Sequence, residues 1–447
     1  MYKICMVGTG YVGLVSGACF ADFGNTVICV DKDAAKVERL KKGEIPFYEL
    51  GLDEIVARNL KEGRLSFTTD LASAVKKCEV IFIAVGTPYG KGGEADLSYV
   101  WGAAKEIAQN MNGYRLIVQK STVPVGTGAK IRALVQKNLK KKNTPFDVAS
   151  NPEFLREGSA ISDFMRPDRV VIGTTSLRGE EMLAGIYAPL YLNETPMVRT
   201  NVETAELIKY AANAFLATKI SFINEMANLC EIVGADVKVV ARGMGLDNRI
   251  GGKFLHAGAG YGGSCFPKDT SALSTFSRKA GYPLRIVKAT IDVNEGQRQR
   301  ILDKIRRTVG AMKGKTIGVL GLSFKPNTDD VRDSVALDLI KAMVRAGARV
   351  RAFDPVAMDN AREVLPKSVI FAEDVWETID GADCLILATE WNEFRRLDMA
   401  RAKRVMKRPV VIDCKNVYDP KAMADMGFVH VGVGRGIPVD KQKRTDH

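Results

Sequence analysis

The residues from Gly260 to Asp269 read GYGGSCFPKD and place a thiol, an ammonium and a carboxylate within five consecutive positions, Cys265 to Asp269. Gly260, Gly262, Gly263 and Ser264 leave the backbone able to turn sharply and to approach a ligand without Cβ interference. Pro267 fixes the backbone between the thiol and the charged pair. A cation such as Lys268 favours the thiolate of a nearby cysteine, the form that acts as nucleophile. Asp269 could hold a water or an ammonium in place. A second reading fits the same ten residues: a glycine-rich loop with a buried, inert cysteine and a solvated Lys–Asp pair. Whether the rest of the chain supplies a cofactor and a substrate site decides between them.

A cofactor site is legible at the start of the chain. Ile4–Val7 is an apolar strand running into Gly8-Thr9-Gly10-Tyr11-Val12-Gly13, a helical stretch follows to about Phe23, and a second strand, Thr26–Val30, ends at Asp31. Gly8, Gly10 and Gly13 give the tight turn and close approach to a pyrophosphate at a helix N-terminus, and Asp31 would hold the adenosine ribose hydroxyls. An acid at 31 favours NAD over NADP, since a 2′-phosphate would meet like charge. Lys32 and Lys36 are the cations nearest to it in sequence.

Further strands position other polar groups. Val80–Val85 leads to Gly86-Thr87-Pro88, and Leu116–Gln119 to Lys120-Ser121-Thr122. Both put hydroxyls just past a strand end, where open parallel sheets bind ligands. Asp147–Ser150 leads to Asn151-Pro152-Glu153-Phe154-Leu155-Arg156-Glu157, and the four-residue spacing of Glu153 and Glu157 would set both on one face of a helix beginning there. They would be a solvated pair or two carboxylates of a site, and their place after a strand end in a cofactor-binding half favours the site. Val170–Ile172 and Pro196–Thr200 close this region.

From Val202 the strand rhythm stops. Residues 203 to about 233 read as one long helix, with Lys209 and Asn213 leading an otherwise apolar face through Leu216 and Ile220. Lys209 either snorkels to solvent or is buried and paired. A shorter helix near Asp236–Met244, then helices over Asp269–Ala280 and about Arg285–Val309, complete a helical middle segment in which a dimer interface would naturally form. A second α/β unit opens at Gly314 with the strand Thr316–Leu320 and continues through Arg349–Phe353, Val369–Phe371, Cys384–Ala388 and Val410–Asp413. Its first turn lacks GxGxxG, making it a poor dinucleotide site and a plausible home for a mononucleotide-linked substrate, with Lys325 and Arg332 as phosphate or carboxylate partners.

The fold expected is α/β: two Rossmann-like, doubly wound parallel-sheet units joined by a helical middle domain with a long central helix. The domains expected are 1–200, binding the dinucleotide; 201–310, helical, with the cysteine loop; and 311–436, binding the substrate nucleotide. The polar stretch Ile437–His447 reads as a disordered tail.

Composition narrows the classes. The 447 residues are 46% hydrophobic and 26% charged, ordinary for a globular protein, and no apolar run reaches the length of a membrane span. The early glycines fit a folded start better than a secretory leader. Eight cysteines without a CxxC pair and three histidines fit neither a disulfide framework nor a zinc site, so no metal is expected, and the usage suits the cytoplasm. The net charge of +13 raises nucleic acid as a partner. No nucleic-acid module appears, however, and an anionic cofactor with an anionic substrate explains the sign equally well.

Oxidising an alcohol to a ketone needs a base and a hydride acceptor, but no thiol. A cysteine beside NAD points to oxidation of an aldehyde as well: the thiolate adds, the adduct gives up a hydride, and water cleaves the thioester. A lysine suits the oxyanion.

GTGYVG at 8–13, VGTP at 85–88, KSTVPVGT at 120–127, NPEFLREGSA at 151–160, the helix with Lys209 and Asn213, GGSCFPKD at 262–269 and GLSFKPNTDDVRDS at 321–334 follow one another in the order of a known family. The chain resembles the UDP-glucose/GDP-mannose dehydrogenase family over nearly its whole length. The resemblance implies oxidation of the C6 alcohol of a sugar nucleotide to the carboxylate with two NAD⁺, by a homodimer or larger assembly, with UDP-glucose the expected substrate. GDP-mannose or a UDP-N-acetylhexosamine is the alternative, and a non-catalytic nucleotide-sugar-binding protein the remoter one.

By the same resemblance Cys265 matches the nucleophile, and Lys209, with Asn213 beside it, the stabiliser of alkoxide and oxyanion. Asp269 and Thr122 match groups that order or activate water, with Glu157 at the same site. Glu153 matches a second carboxylate aiding acid–base steps or hydrolysis. Gly8, Gly10, Tyr11, Val12, Gly13, Asp31, Lys36, Thr87, Thr122, Glu157, Lys268 and Arg332 fall at NAD-contacting positions. Glu153, Phe154, Leu155, Lys209, Asn213, Arg249, Tyr261, Gly262, Phe324, Lys325 and Lys415 fall at substrate-contacting ones, Arg249 reaching across a subunit interface. Two departures stand out. Lys415 occupies a strand end where the family usually has arginine, and lysine is not equivalent for a planar bidentate contact. The segment Phe47–Gly51 lacks the family's proline. His256, on the substrate side, is either a contact or a plain loop residue.

Overall fold

The computed structural model describes residues 1–435. The chain divides into two compact units, one of Met1–Ala212 with Ser271–Ala280, the other of Asn213–Thr270 with the chain from Gly281 onward.

The first unit is built on eight strands: β1 (Lys3–Val7), β2 (Thr26–Val30), β3 (Leu65–Thr68), β4 (Val80–Ile83), β5 (Arg115–Gln119), β6 (Phe146–Ser150), β7 (Val170–Gly173) and β8 (Met197–Thr200). They lie in the order β3-β2-β1-β4-β5-β6-β7-β8, parallel except where β6 meets β7 through the antiparallel pair Ser150 and Gly173. The chain leaves β1 towards β2 and β3, then crosses back to add β4 on the other side. The β1/β4 border is thus the switch point at which such sheets open a ligand crevice. Strand β1 has apolar residues on both faces: Ile4 and Met6 enter one core, Cys5 and Val7 another. That is the mark of a parallel sheet covered by helices on both sides.

The second unit repeats the plan with β9 (Thr316–Leu320), β10 (Arg349–Phe353), β11 (Ile370–Phe371), β12 (Cys384–Leu387), β13 (Val410–Asp413) and β14 (Val429–Val431). Their order is β11-β10-β9-β12-β13-β14, all parallel. The strands expected from apolar runs are present to within a few residues. Two more, β3 and β14, are short: LSFT alternates hydrophobic with polar residues, and VHV spans only three. Both are too brief to stand out in a sequence.

The long helix runs unbroken from Val202 to Val233, 32 residues. Its first part belongs to the first unit and, from Asn213, the rest to the second. The helix Phe266–Lys279 returns the chain to the first unit at Ser271. Cys5, Cys29, Cys384 and Cys414 are fully buried and act as small hydrophobes, burial pushing each thiol well up. Among the described residues no helix is long and apolar enough to cross a membrane. The stretch from Ile437, expected to be a tail, lies outside the described residues.

Candidate active site

Strand β1 ends at Val7, and the helix Tyr11–Asp22 starts four residues later. Gly8 turns the chain at φ +101°, where a Cβ would stand 2.7 Å from the Ala84 carbonyl oxygen; one at Gly13 would meet the Gly8 carbonyl oxygen at 1.9 Å. Only glycine allows this turn to close. Gly10 caps the helix without a side chain, and nothing lies within 4 Å of its Cβ position, so the helix N-terminus is open to a pyrophosphate. Asp31, at the end of β2, accepts from the Thr9 N–H at 3.0 Å and hydroxyl at 2.6 Å, and pairs with Lys36 at 2.9 Å. Burial pushes its carboxyl up, but these bonds outweigh it and bring it down to about 2, so Asp31 is a carboxylate at neutral pH. The turn and the acid fit NAD, whose pyrophosphate the turn would hold and whose ribose hydroxyls Asp31 would accept from.

Past β4 and β5, the Thr87 hydroxyl donates to the Thr122 carbonyl at 3.1 Å, joining two of the expected residues. Behind them Lys120 is 2% exposed, its ammonium 3.1 Å from Asn151 Oδ1 and 3.3 Å from the Tyr187 hydroxyl. Burial and Lys209 push Lys120 down to about 8, with Glu153 and Cys19 opposing. The sequence places Lys120 in a landmark but says nothing of this buried polar knot.

The segment after β6 corrects one expectation. No helix begins at Asn151: residues 151–156 are irregular, Glu157 lies in a turn, and the helix Ala160–Met165 starts later. Glu153 and Glu157 therefore do not share a helix face. Glu153 turns back instead, accepting from the Leu155 N–H at 2.7 Å and pairing with Lys209 at 3.0 Å, side chains 7% and 5% exposed. Lys209 is thus buried and paired. Phe154 forms a wall here, with the Arg169 guanidinium 3.4 Å and the Lys209 ammonium 5.3 Å from its ring centre. Three residues before Lys209, the buried Glu206 accepts from the N–H groups of Gly126 and Gly128, each at 2.7 Å. Its only sequence signal was its position one turn before Lys209.

In the second unit, Cys265 immediately precedes the helix Phe266–Lys279 and caps it, its carbonyl accepting from the Asp269 N–H at 2.8 Å. The Gly-rich stretch is thus a loop only as far as Cys265. Pro267 near the helix start and an acid in the first turn are the helix-start signals that place it. The thiol is exposed, unlike those in the strands, and stands where a helix N-terminus favours negative charge on sulfur. One turn on, Asp269 is 1% exposed, accepts from the Asn213 amide at 2.7 Å and pairs with Lys268 at 2.6 Å. Asn213 follows Lys209 by one turn of the same continuous helix.

The loop before Cys265 is seated on the turn after β9. A Cβ at Gly262 would come within 2.3 Å of the Asp333 carbonyl oxygen and one at Gly263 within 2.7 Å of the Phe324 ring, while the Gly263 N–H donates to the Arg332 carbonyl at 2.9 Å. Asn294 grips Tyr261 from the other side through its backbone N–H, at 2.8 Å, and carbonyl, at 3.1 Å. Two sequence landmarks, 262–269 and 321–334, therefore form one structure. Lys325 has its ammonium 5.4 Å from the Phe324 ring centre, and Arg332 pairs with Asp330 at 2.7 Å. Lys415 pairs with Glu390 at 3.1 Å and, with His256, Lys238, Arg242 and Arg435, lines a cavity of about 610 Å³. Arg249 stands apart, its side chain 90% exposed and paired with Asp247. In the turn after β9 the buried Asp354 accepts from the N–H groups of Leu322 and Ser323, at 2.7 and 3.1 Å.

Residues 2–191 match the NAD binding domain of the UDP-glucose/GDP-mannose dehydrogenase family, 203–296 its central domain and 318–420 its UDP binding domain. The chain belongs to the UDP-glucose/GDP-mannose dehydrogenase family. It is 51% identical over 435 residues to the UDP-glucose 6-dehydrogenase TuaD of Bacillus subtilis (strain 168), covering 97% of this chain and 94% of that one. To the UDP-glucose 6-dehydrogenase of Rhizobium meliloti (strain 1021) it is 53% identical over 437 residues, covering 97% and 99%. The solved UDP-glucose dehydrogenase of the archaeon Pyrobaculum islandicum superposes with a TM-score of 0.90 at 40% identity over 98% of both chains. The open turn at Gly10 and Asp31 thus lie in the family's NAD-binding domain, and the cofactor is NAD.

Proposed function

We propose that this chain oxidises the C6 alcohol of UDP-glucose to the carboxylate of UDP-glucuronate, consuming two NAD⁺ and one water, through a covalent intermediate on Cys265. One observation carries the covalent step: the exposed Cys265 thiol caps a helix whose Asp269, one turn on, is bound by Asn213, itself one helical turn from Lys209.

Bound NAD⁺ supplies a hydride acceptor for each of the two oxidations. Asp269 holds the water that takes the C6 hydroxyl proton, and Lys209 stabilises the alkoxide. Loss of one C6 hydrogen with its electron pair turns the alkoxide into an aldehyde. The Cys265 thiolate sulfur then bonds to the aldehyde carbon while the carbonyl electron pair moves to oxygen, where Lys209 stabilises it. Loss of the remaining C6 hydrogen with its electron pair leaves a thioester. Water ordered by Asp269 and Thr122, with Glu153 as the acid–base partner, breaks the carbon–sulfur bond to release the carboxylate and the thiol. The basic cavity at His256 and Lys415 supports a site for the nucleotide end, and Phe154 and Leu155 support a wall for the sugar. The family relatives acting on UDP-glucose, at 51% and 53% identity, support the same substrate here.

We also assign the working form to a cytoplasmic homodimer. Phe215, Phe222 and Leu229, seven residues apart along the long helix, are 66%, 42% and 49% exposed, an apolar stripe that a second copy would cover.

The test is the yield of NADH at saturating NAD⁺, each sugar nucleotide titrated to completion: UDP-glucose, GDP-mannose, UDP-N-acetylglucosamine and UDP-N-acetylmannosamine. Two NADH per UDP-glucose, with the others slow, is expected. One NADH per sugar would sink the four-electron claim, and two NADH with a different sugar would move the substrate while leaving the chemistry.

A further inference from the structure

Glu49 belongs to none of the expected site residues, yet it is 7% exposed and its carboxylate receives three donors from two distant segments. Oε2 accepts from the Tyr11 hydroxyl and from the Gly158 N–H, the latter at 2.6 Å; Oε1 accepts from the Ala160 N–H at 2.8 Å. The Gly158 N–H also reaches the Tyr11 hydroxyl at 3.1 Å, which closes a three-membered network. Tyr11 is the first helical residue after the dinucleotide turn, and its ring packs on Phe47, 5.0 Å between centres. Burial, then the bond to Glu49, pushes the phenol far up, so Tyr11 remains a donor at any working pH.

We propose that Glu49 is a positioning residue that fastens the 156–160 segment, which follows Glu153 and contains Glu157, to the dinucleotide turn through Tyr11, so that NAD⁺ bound at the turn stiffens the carboxylate segment. This rests on the reading of the turn as the NAD site and of Glu153 and Glu157 as site carboxylates. The physical reason is the sharing of acceptors. If Glu49 withdraws, the buried Ala160 N–H loses its acceptor and the Gly158 N–H keeps only its longer bond to the Tyr11 hydroxyl, and a buried donor left unmade is costly. Any ligand that fixes the first turn of the helix Tyr11–Asp22 fixes the Tyr11 ring, and with it the acceptor that holds Gly158. The sequence hides this link, because Glu49 and Ala160 are 111 positions apart.

The experiment compares wild type with Glu49→Gln, Tyr11→Phe and the double variant. Tyr11→Phe cuts the link while leaving Glu49 its two backbone donors, so it remains informative if Glu49→Gln folds poorly. The first readout is amide hydrogen exchange in the 156–160 segment with and without NAD⁺. Slowing on NAD⁺ addition, by about tenfold in wild type and less than about twofold in each variant, is expected. The second is steady-state oxidation of UDP-glucose, where kcat is expected to fall about tenfold in either variant, and no further in the double, because both cut one network. Equal slowing in wild type and Tyr11→Phe would overturn the proposal, as would additive losses. If wild type does not oxidise UDP-glucose, the functional reading fails, and the exchange experiment decides the Glu49 link by itself.

Discussion

The Lys209 ammonium lies 3.0 Å from the Glu153 carboxylate, and both side chains are almost fully buried. Each answers the other's charge in a place where an unpaired ion is expensive, so neither can be removed cleanly. Lys209→Ala is expected to cost about 3–5 kcal/mol of stability by stranding Glu153. If Lys209 also stabilises the oxyanion, kcat should fall by about two to three orders of magnitude more than unfolding explains. Lys209→Ala with Glu153→Gln removes both charges. The pair reading expects urea midpoints to recover in that double variant while kcat does not. Recovery of both would make the lysine structural only.

Cys265→Ser keeps the helix cap and loses the sulfur. Binding of NAD⁺ and UDP-glucose, measured by titration calorimetry, should stay within about threefold of wild type. Net formation of UDP-glucuronate should fall by at least about three orders of magnitude, since a serine hydroxyl is a far weaker nucleophile without a base. The other seven cysteines are buried, so a thiol reagent should label Cys265 first and inactivate in proportion. Full turnover by the serine variant would refute the covalent step.

Much of this site was legible because its parts are local. The dinucleotide turn needs glycine at fixed offsets, a strand before and an acid at the next strand's end, all within residues 4–31. Lys209 and Asn213 stood out because polar groups leading an apolar helix face require partners, and both are buried and bonded. What stayed hidden are the long-range partners. Glu206 meets Gly126 from 80 positions away, and Glu49 meets Ala160 from 111, and no local spacing encodes either. Glu153 and Glu157 misled for the opposite reason. Their spacing suits a helix, but Glu153 is satisfied by Leu155 and Lys209, and the helix starts only at Ala160. In the same way Cys265 read as part of a loop because glycines precede it, although Pro267 and Asp269 already signalled a helix start.

Asp31 is expected to set the choice between the two nicotinamide dinucleotides. Its carboxylate is held by Thr9 and Lys36, which keep it charged and aimed. Asp31→Asn keeps the shape and removes the charge, so the KM for NAD⁺ should rise about tenfold and the preference over NADP⁺ should narrow by about the same factor. Initial rates with both cofactors over a range of concentrations check this. An unchanged NAD⁺ to NADP⁺ ratio of kcat/KM would mean that another group reads the ribose.

Glu206 gives the fold a pH dependence of unusual sign. Burial pushes its carboxyl up to about 7 against the hydrogen bonds from Gly128 and Gly126, and Glu203 adds like charge. A carboxyl raised on folding binds its proton more tightly in the folded chain than in the unfolded one. Its contribution to stability is therefore fully present below the unfolded value near 4.5 and is lost as pH rises through about 7. Glu206→Gln mimics the protonated form at every pH. Urea unfolding of both proteins from about pH 5 to about pH 8 should show the wild type losing on the order of 2–3 kcal/mol relative to the glutamine variant over that window. Because the bonded residues, Gly126 and Gly128, lie at the start of the helix that follows Thr122, the amides of 122–128 should exchange faster in wild type at the alkaline end, after correction for intrinsic rates. A stability difference independent of pH would show that Glu206 keeps its charge in the fold, the two backbone N–H groups outweighing burial.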